Sequence, residues 1–277
     1  MHKVERVQRT FAYVLLIAGS VVFLLPFMWM VTTSLKTSKG VLSFPPQFIP
    51  HTFQWQNYVD GWTALPFNRY LLNTIFVTAL AVIGNLISCT LPAYAFARLR
   101  ARGRPIMFAA MLATMAIPAE VTLVPQFILF TKAHMVNTYW PLILPAWFGY
   151  AYFIFLLRQF FMTIPRELDE AARIDGASDL RILWSIILPL SRPAIAAVAV
   201  FAFIGNWNNL LAALIYLRSQ DKFTLALALN LFHGQYLTQY NQMMAVSLVT
   251  ILPIVVLFFI AQKAFIRGVT LTGMGGR

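Results

Sequence analysis

The chain has 277 residues, of which 60% are apolar and 11% are charged, and its formal net charge is +12. An ordinary soluble domain is about 25% charged, so this composition, with a mean hydropathy of +0.71, excludes a soluble globular protein and indicates a polytopic membrane protein. The single cysteine, Cys89, excludes an intrachain disulfide.

Six apolar runs are long enough to cross a membrane, since a hydrocarbon core of about 30 Å needs roughly 20 residues of helix. The sequence therefore predicts an all-α protein with six transmembrane helices in a single domain over residues 1–277. The predicted spans are residues 11–31, 70–97, 105–131, 139–157, 193–217 and 243–262. The first run is too long for a secretory signal and lacks an Ala-x-Ala exit, so it is interpreted as a retained span.

The basic residues are distributed unevenly between the two sides of these spans. With the N-terminus inside, fifteen Lys and Arg residues lie in the cytoplasmic segments and six in the outer segments. Basic segments tend to stay in the cytoplasm, so both termini are predicted to be cytoplasmic. The basic link from Arg98 to Pro105 is interpreted as one of the determinants of this topology.

The outer segment between residues 32 and 69 is rich in proline and aromatic side chains. Such aromatics settle at the headgroup boundary. This segment is therefore predicted to form a cap on the outer face, and an interfacial anchor is favoured over a ligand site.

The loop between the fourth and fifth spans, residues 161–192, has an unusual concentration of acidic residues among its arginines. Acids contribute little to topology, so the loop has a further role. Pro165 suits a first helical turn and Gly176 can take the left-handed turn that ends a helix, which predicts a short helix over 165–175. Ser178 is predicted to cap a second helix that Pro189 ends, with the fifth span starting at Pro193. The acidic residues are Glu167, Asp169, Glu170, Asp175 and Asp179.

A helical wheel places Leu168, Ala171 and Ala172 on one side of the short helix and Asp169 with the other charges on the opposite side. One interpretation is an amphipathic connector lying on the membrane. The mixed signs of the polar face favour a protein partner instead, because a membrane-surface helix is usually rich in Lys and Arg.

The same loop resembles the EAA loop of the permease subunits of bacterial binding-protein-dependent ABC importers, and nearly the whole chain resembles the carbohydrate-uptake branch of that family, the maltose and glycerol-phosphate permease type. In the loop the matching residues are Glu170, Ala171, Ala172, Gly176, Ile186, Leu188 and Pro189. Elsewhere they are Pro118, Glu120, Pro125, Asn137, Thr138, Tyr139, Leu142 to Pro145, Trp207, Asn208 and Gln262 to Gly268. The tail from Thr272 to Arg277 departs from the usual ending of that branch.

The resemblance implies a type I ABC importer permease in the bacterial inner membrane, with the loop as a coupling helix that docks on a cytoplasmic ATPase. It implies a heterodimer with a second permease subunit, an ATPase dimer that holds ATP and magnesium, and an external solute-binding protein. The coupling residues would be Glu170, Ala171, Ala172, Asp175, Gly176, Leu188 and Pro189. This chain has no phosphate-binding Gly-x-x-x-x-Gly-Lys motif, so it is predicted to bind no cofactor and to be no enzyme itself.

Polar residues inside the predicted spans are candidates for the solute path, because polar groups are costly in the bilayer. Glu120, flanked by two prolines, could form a polar notch or could fix helix contacts, and the structural role is favoured. Asn206, Trp207, Asn208 and Asn209 suit either sugar recognition or interhelical hydrogen bonds.

Two other classes of protein are alternatives. An ion-driven secondary transporter would need more intramembrane carboxylates than Glu120 or an inverted repeat. A membrane enzyme would need paired carboxylates, a metal-spaced histidine cluster or a nucleophile elbow. Nothing in the sequence indicates a nucleic-acid partner.

Overall fold

The computed structural model describes the backbone of residues 2–235 and 239–273, and the side chains of residues 9–118, 120–230 and 239–262. Within these ranges the chain forms helices and no strand, which confirms the all-α class. The side chains of Lys263 to Gly268, in the tail that resembles the permease family, lie outside the described residues.

The described α-helices are numbered in chain order. They are α1 (His2–Ser34), α2 (Ser38–Val41), α3 (Gln56–Ala64), α4 (Phe67–Arg98), α5 (Arg104–Ala113), α6 (Ala119–Lys132), α7 (Trp140–Ile143), α8 (Ala151–Thr163), α9 (Glu167–Ile174), α10 (Asp179–Ile182), α11 (Leu188–Leu190), α12 (Arg192–Trp207), α13 (Leu210–Tyr216), α14 (Leu225–Gln235) and α15 (Tyr240–Gly273). Three 3-10 turns cover Thr114–Ala116, Leu144–Phe148 and Gln220–Lys222, and a π turn covers Leu183–Ile187.

Four described helical stretches are long and apolar enough to cross a membrane, and two bent helix pairs bring the number to six if each pair is one span. The four are Arg9–Ser34, Phe67–Arg98, Trp140–Thr163 and Tyr240–Gln262. The bent pairs are Arg104–Ala116 with Glu120–Lys132, at 98°, and Asp179–Leu190 with Arg192–Trp207, at 82°. The predicted helical membrane fold is therefore confirmed, whereas the number of spans is six only if each bent pair counts as one span.

The third, fourth and fifth spans differ from the predicted continuous helices. The third breaks at Ile117 and Pro118, because a proline disfavours the helical conformation of the residue before it and Ile117 is extended. The fourth runs to Thr163, six residues beyond the predicted end, and is interrupted at Gly149, whose φ is +85°. In the fifth, α12 begins at Arg192, close to the predicted Pro193, after a bend of 82° from Asp179–Leu190, and the helix breaks at Asn208 and Asn209.

The chain forms two compact units. The first comprises Met1–Asn68 and Ala228–Leu252. In it, the buried Asn57 of α3 donates to the carbonyl oxygens of Ser34 and Lys36 and accepts from Asn241 of α15 at 2.8 Å. The predicted outer cap thus has a hydrogen-bonded base, and its position in the headgroup region remains a prediction.

The second unit comprises Arg69–Leu227 and Pro253–Arg277. Its hydrophobic core brings together α4, α8, the π turn and α12, with fully buried side chains such as Leu157, Phe161, Leu183 and Val198. The predicted coupling loop packs on this core. The helix α15 contributes residues to both units. The single domain over residues 1–277 stays a prediction.

Candidate coupling surface and candidate solute cavity

The predicted short helix is α9, and its C-terminal end is closed by Gly176. Gly176 has a φ of +80°, its N–H donates to the carbonyl of Arg173, and the N–H of Ala177 donates to the carbonyl of Ala172 at 2.9 Å. These two bonds form a Schellman motif, in which a left-handed residue satisfies the last carbonyls of a helix. The predicted turn is thus confirmed, with the helix two residues shorter at its start than expected.

The second helix of the loop is capped as the sequence predicts. Ser178 has an extended backbone, and its Oγ accepts from the N–H of Arg181. Across the turn, Arg173 donates from Nη2 to Oδ1 of Asp179 at 2.9 Å, and this hydrogen bond raises the pKa of the Arg173 guanidinium. The hairpin from α9 to α10 is therefore locked by a backbone motif, a cap and a charged contact.

The two sides of the helical wheel of α9 do not match its buried and exposed faces. Asp169, grouped with the other charged residues, is buried with 3% exposure, whereas Leu168, grouped with the alanines, is 41% exposed. Ala171 is exposed and Ala172 is half-buried against the core. The physical reason is a buried counter-charge, which a wheel of one helix does not contain.

That counter-charge is Arg98, the last residue of α4. Its Nε lies 3.5 Å from Oδ2 of Asp169, and its Nη2 donates to the carbonyl oxygens of Phe161 at 2.7 Å and Ile164 at 2.6 Å. Those carbonyls close α8, where a cation is favourable because of the helix dipole. Sequence reasoning assigned Arg98 to topology alone, and no local pattern in the chain indicates its partners.

The predicted coupling residues do not lie in one place: Glu170 lines a cleft with Arg98 at the end of α4, whereas Leu188 lines a groove with Leu86 and Leu91 in the middle of α4. Glu170, Ala171, Asp175, Gly176 and Pro189 are exposed. Leu188 and Ala172 are half-buried and pack against the core. The exposed members are accompanied by large apolar side chains that also face outward: Leu168, Ile174, Leu180 and Trp184. This mixture of charges and exposed apolar groups is typical of a protein contact surface.

Beside α9 lies a cleft of about 490 Å³ with a strongly polar lining. The buried pair of Arg98 and Asp169 forms part of its wall, and Arg100, Arg166 and Glu170 add charges that have no ion pair within the described residues. The remaining lining residues are Leu99, Arg173 and Asp179. The cleft can accept charged side chains of a partner.

A second cavity, of about 520 Å³, lies inside the second unit. Four amide side chains line it: Asn85, Gln126, Asn206 and Asn209. Tyr150, Tyr152, Phe153, Phe201 and Tyr216 add aromatic groups. No charged side chain is among the described residues of the lining, so the cavity suits an uncharged solute with hydroxyl groups and apolar faces.

The break in the fifth span lies beside this cavity. Asn206 donates from Nδ2 to the carbonyl of Ala202 at 2.7 Å, and the side chain of Asn209 caps α13 by accepting from the N–H of Ala212 at 3.1 Å. Irregular backbone in a membrane span is tolerated where it lines a cavity or is buried in protein. The Asn-rich break is thus a structural feature of the candidate solute path.

The other predicted path residues lie elsewhere. Trp207 is buried with 4% exposure and stacks on Phe203, and Asn208 is exposed and donates to the carbonyl of Ile204. Glu120 is exposed in the first turn of α6, where a carboxylate is favoured by the helix dipole, and it does not line the cavity. Gln126 and Asn85, which the sequence analysis did not select, do line it. Both are amide side chains within apolar spans, and that pattern could have indicated them.

A broken membrane helix beside a polar cavity, together with a helical hairpin at one end of the spans, defines a helical permease as the class of this protein. The chain belongs to the inner membrane components of binding-protein-dependent transport systems, whose family profile matches residues 84–271. It is accordingly a multi-pass protein of the inner membrane.

Several relatives are similar over most of their length. The diacetylchitobiose uptake system permease protein NgcG of Streptomyces coelicolor is 32% identical over 255 residues, which cover 91% of this chain and 84% of the relative. The arabinooligosaccharides transport system permease protein AraQ of Halalkalibacterium halodurans is 36% identical over 83% of this chain and 82% of its own. The sn-glycerol-3-phosphate transport system permease protein UgpE of Pectobacterium atrosepticum is 35% identical, over 93% and 94%.

Solved structures agree with this assignment. A chain of a bacterial ABC transporter involved in the import of the acidic polysaccharide alginate superposes with a TM-score of 0.81 and 27% identity, covering 94% of this chain and 97% of that one. A second chain, from an alginate transporter in complex with a periplasmic protein bound to an alginate pentasaccharide, has a TM-score of 0.67 and 14% identity, and shows the likeness of fold.

Proposed function

We propose that this chain is a permease subunit of an ATP-driven carbohydrate importer, in which the hairpin of α9 and α10 receives the motion of a cytoplasmic ATPase. In this proposal both termini and the hairpin are cytoplasmic. The chain pairs with a second permease subunit, an ATPase dimer that binds ATP and magnesium, and an external solute-binding protein, and it carries out no catalysis itself.

The observation that carries the proposal is the exposed hairpin of α9 and α10, whose turn is fixed by backbone hydrogen bonds. Glu170 and Ala171 are exposed beside the apolar Ile174, which is 86% exposed, and the Schellman motif at Gly176 fixes the turn that follows. A helix of eight residues is marginal by itself in water, so its exposed apolar side chains favour a partner that covers them.

Two observations support a carbohydrate as the solute. The relatives NgcG and AraQ are named for diacetylchitobiose and arabinooligosaccharides. The cavity between the fourth and fifth spans presents amide groups and aromatic rings, which suit neutral hydroxyl-rich solutes. The second permease subunit would supply the other wall of the path.

The ion-driven alternative lacks a comparable observation. It would require a carboxylate in the solute path, and Glu120 is exposed at the start of α6, away from the cavity. We therefore retain the ATP-driven mechanism.

Uptake by membrane vesicles tests the proposal. With the cognate receptor and radiolabelled oligosaccharide, uptake should follow internal ATP and should not follow an ion gradient imposed without ATP. Glu170→Lys should abolish uptake and co-purification of the ATPase, whereas the reversal Asp60→Lys, on the exposed outer helix α3, should leave both intact. Uptake driven by an ion gradient alone, or normal uptake by Glu170→Lys, would refute the proposal.

A further inference from the structure

Asp169 connects α9 to the rest of the second unit through a buried ion pair. Of the eight residues of this described helix it is the only one that is buried, and its carboxylate faces the equally buried guanidinium of Arg98. The two side chains are 4% and 2% exposed. The orientation of α9 on the rest of the second unit therefore depends on this ion pair more than on apolar packing.

Stability alone does not require such a pair. Removing two charges from water often costs as much as their attraction returns, and apolar residues of similar volume often serve as well. The Nε of Arg98 makes no hydrogen bond to Asp169, so the pair acts through charge, and moving two buried opposite charges apart is costly. A helix held only by small side chains such as Ala172 could slide or rotate at little cost.

Arg98 also binds a second element with the same guanidinium. Its Nη2 donates to the carbonyl oxygens of Phe161 and Ile164 at the end of α8. Arg98 is itself the last residue of α4. Three segments of chain, from α4, α8 and α9, thus meet at one side chain. A displacement of α9 would be passed to both spans.

We infer that Arg98 is a positioning residue, which acts through Asp169 to make α9 move as one body with the adjoining ends of α4 and α8. The inference rests on the proposed function, in which α9 receives the motion of an ATPase. Arg100 provides a matched control, since it lies two residues further along and lines the same cleft, yet it is exposed and makes no hydrogen bond or ion pair within the described part of the chain.

The first measurement is the distance between two spin labels, at Arg102→Cys and Glu167→Cys, in the full chain purified in lipid nanodiscs with the subunits that accompany it. Both positions are exposed, and the native Cys89 is fully buried and does not compete for label. Arg98→Gln and Asp169→Asn should broaden the distance distribution, whereas Arg100→Gln should leave it narrow. Equal widths for all four proteins would overturn the inference.

The second measurement is the amount of solute transported per ATP hydrolysed, in proteoliposomes with the receptor and the oligosaccharide. We expect Arg98→Gln and Asp169→Asn to retain ATP hydrolysis while this ratio falls about fivefold or more. Arg102→Gln, at an exposed position outside the cleft, should match the unsubstituted protein. Broadened distances with an unchanged ratio would also overturn the inference, because they would show that the position of α9 is not needed for coupling.

These outcomes are separable from failure of the proposed function. If the unsubstituted protein transports without ATP, the proposed function is refuted, and the distance distributions still decide whether Arg98 positions α9. If Arg98→Gln does not insert into the membrane, Asp169→Asn carries the test, since it leaves the bonds from Arg98 to Phe161 and Ile164 in place.

Discussion

Arg98 and Arg158 bind the ends of each other's helices. Arg98 of α4 donates to the last carbonyls of α8, and Arg158 of α8 donates from Nε to the carbonyl of Phe96 in α4 at 3.2 Å. The guanidinium of Arg158 also lies over the ring of Phe108 in α5, 4.0 Å from its centroid. Arg98, which the sequence assigns to membrane topology, and Arg158 therefore connect α4, α5 and α8.

The two arginines should differ in their effect on stability. Arg158→Gln removes one hydrogen bond and one cation–π contact and should lower the free energy of unfolding by about 1–2 kcal/mol. Arg98→Gln leaves the buried Asp169 unpaired and should cost about 3–5 kcal/mol. Thermal unfolding in detergent checks the order, with Arg100→Gln as a control that should not change it. Equal losses for Arg98→Gln and Arg158→Gln would show that the buried ion pair contributes nothing beyond a hydrogen bond.

Gly176 should tolerate asparagine better than alanine. A Cβ at this position would meet no atom within 4 Å, so the obstacle is the φ of +80° alone. Such a conformation costs an ordinary L-residue roughly 1–2 kcal/mol and costs asparagine less. Uptake per assembled transporter should therefore fall in the order glycine, asparagine, alanine. A variant Gly176→Ala as active as Gly176→Asn would show that the left-handed turn is not what the loop needs.

The cavity predicts a contrast between neighbouring asparagines. Asn206 and Asn209 line it, and Asn208 does not. Asn206→Ala should raise the KM for solute uptake, whereas Asn208→Ala should leave the KM unchanged. At Asn209, serine is the informative substitution because it can still cap α13, so any rise in KM reports the lost amide. Identical kinetics for Asn206→Ala and Asn208→Ala would exclude this cavity from the solute path.

Local chemistry explains which features the sequence could predict. The turn at Gly176, the cap at Ser178 and the start of the fifth span near Pro193 each depend on the conformational preference of one residue and its immediate neighbours. The resemblance of the loop and spans to the permease family is confirmed by the family match. The turn, the cap and the helix start could be predicted because they depend on residues that are neighbours in the sequence.

The remaining features depend on partners that lie far apart in the chain. Asp169 is buried because Arg98, some seventy residues earlier, supplies the opposite charge. The breaks at Gly149 and Asn208 leave hydropathy unchanged, so an average over a span does not register them. Pro118 was recognised, but the apolar run around it continues, and only the structure shows a bend of 98° there.

Asn137 should control the exchange of two amide protons on a distant loop. Its φ is +62°, its Oδ1 accepts from the N–H groups of Arg218 and Ser219, and its Nδ2 donates to Oγ of Ser219. Asn137→Ala removes these bonds, and the exchange of both amides should accelerate about tenfold. Asn137→Asp keeps the accepting oxygen and should retain the protection. Hydrogen exchange measured by mass spectrometry checks this, and unchanged exchange in Asn137→Ala would show that another group holds the loop.

Gly84 and Gly19 should respond to alanine in opposite directions, although both lie in membrane helices. A Cβ on Gly84 would come within 2.5 Å of Cδ1 of Trp147, whereas nothing lies within 4 Å of a Cβ on Gly19. Gly84→Ala should therefore lower the free energy of unfolding by about 1–3 kcal/mol through overpacking. Gly19→Ala should leave it unchanged or raise it, because alanine is the better helix former.

If the contact with Trp147 is the cause, Trp147→Leu should reduce the penalty of Gly84→Ala, so that the double variant is more stable than the sum of the single changes predicts. Thermal unfolding of the four proteins completes the cycle, and strictly additive losses would assign the effect of Gly84→Ala to something other than Trp147.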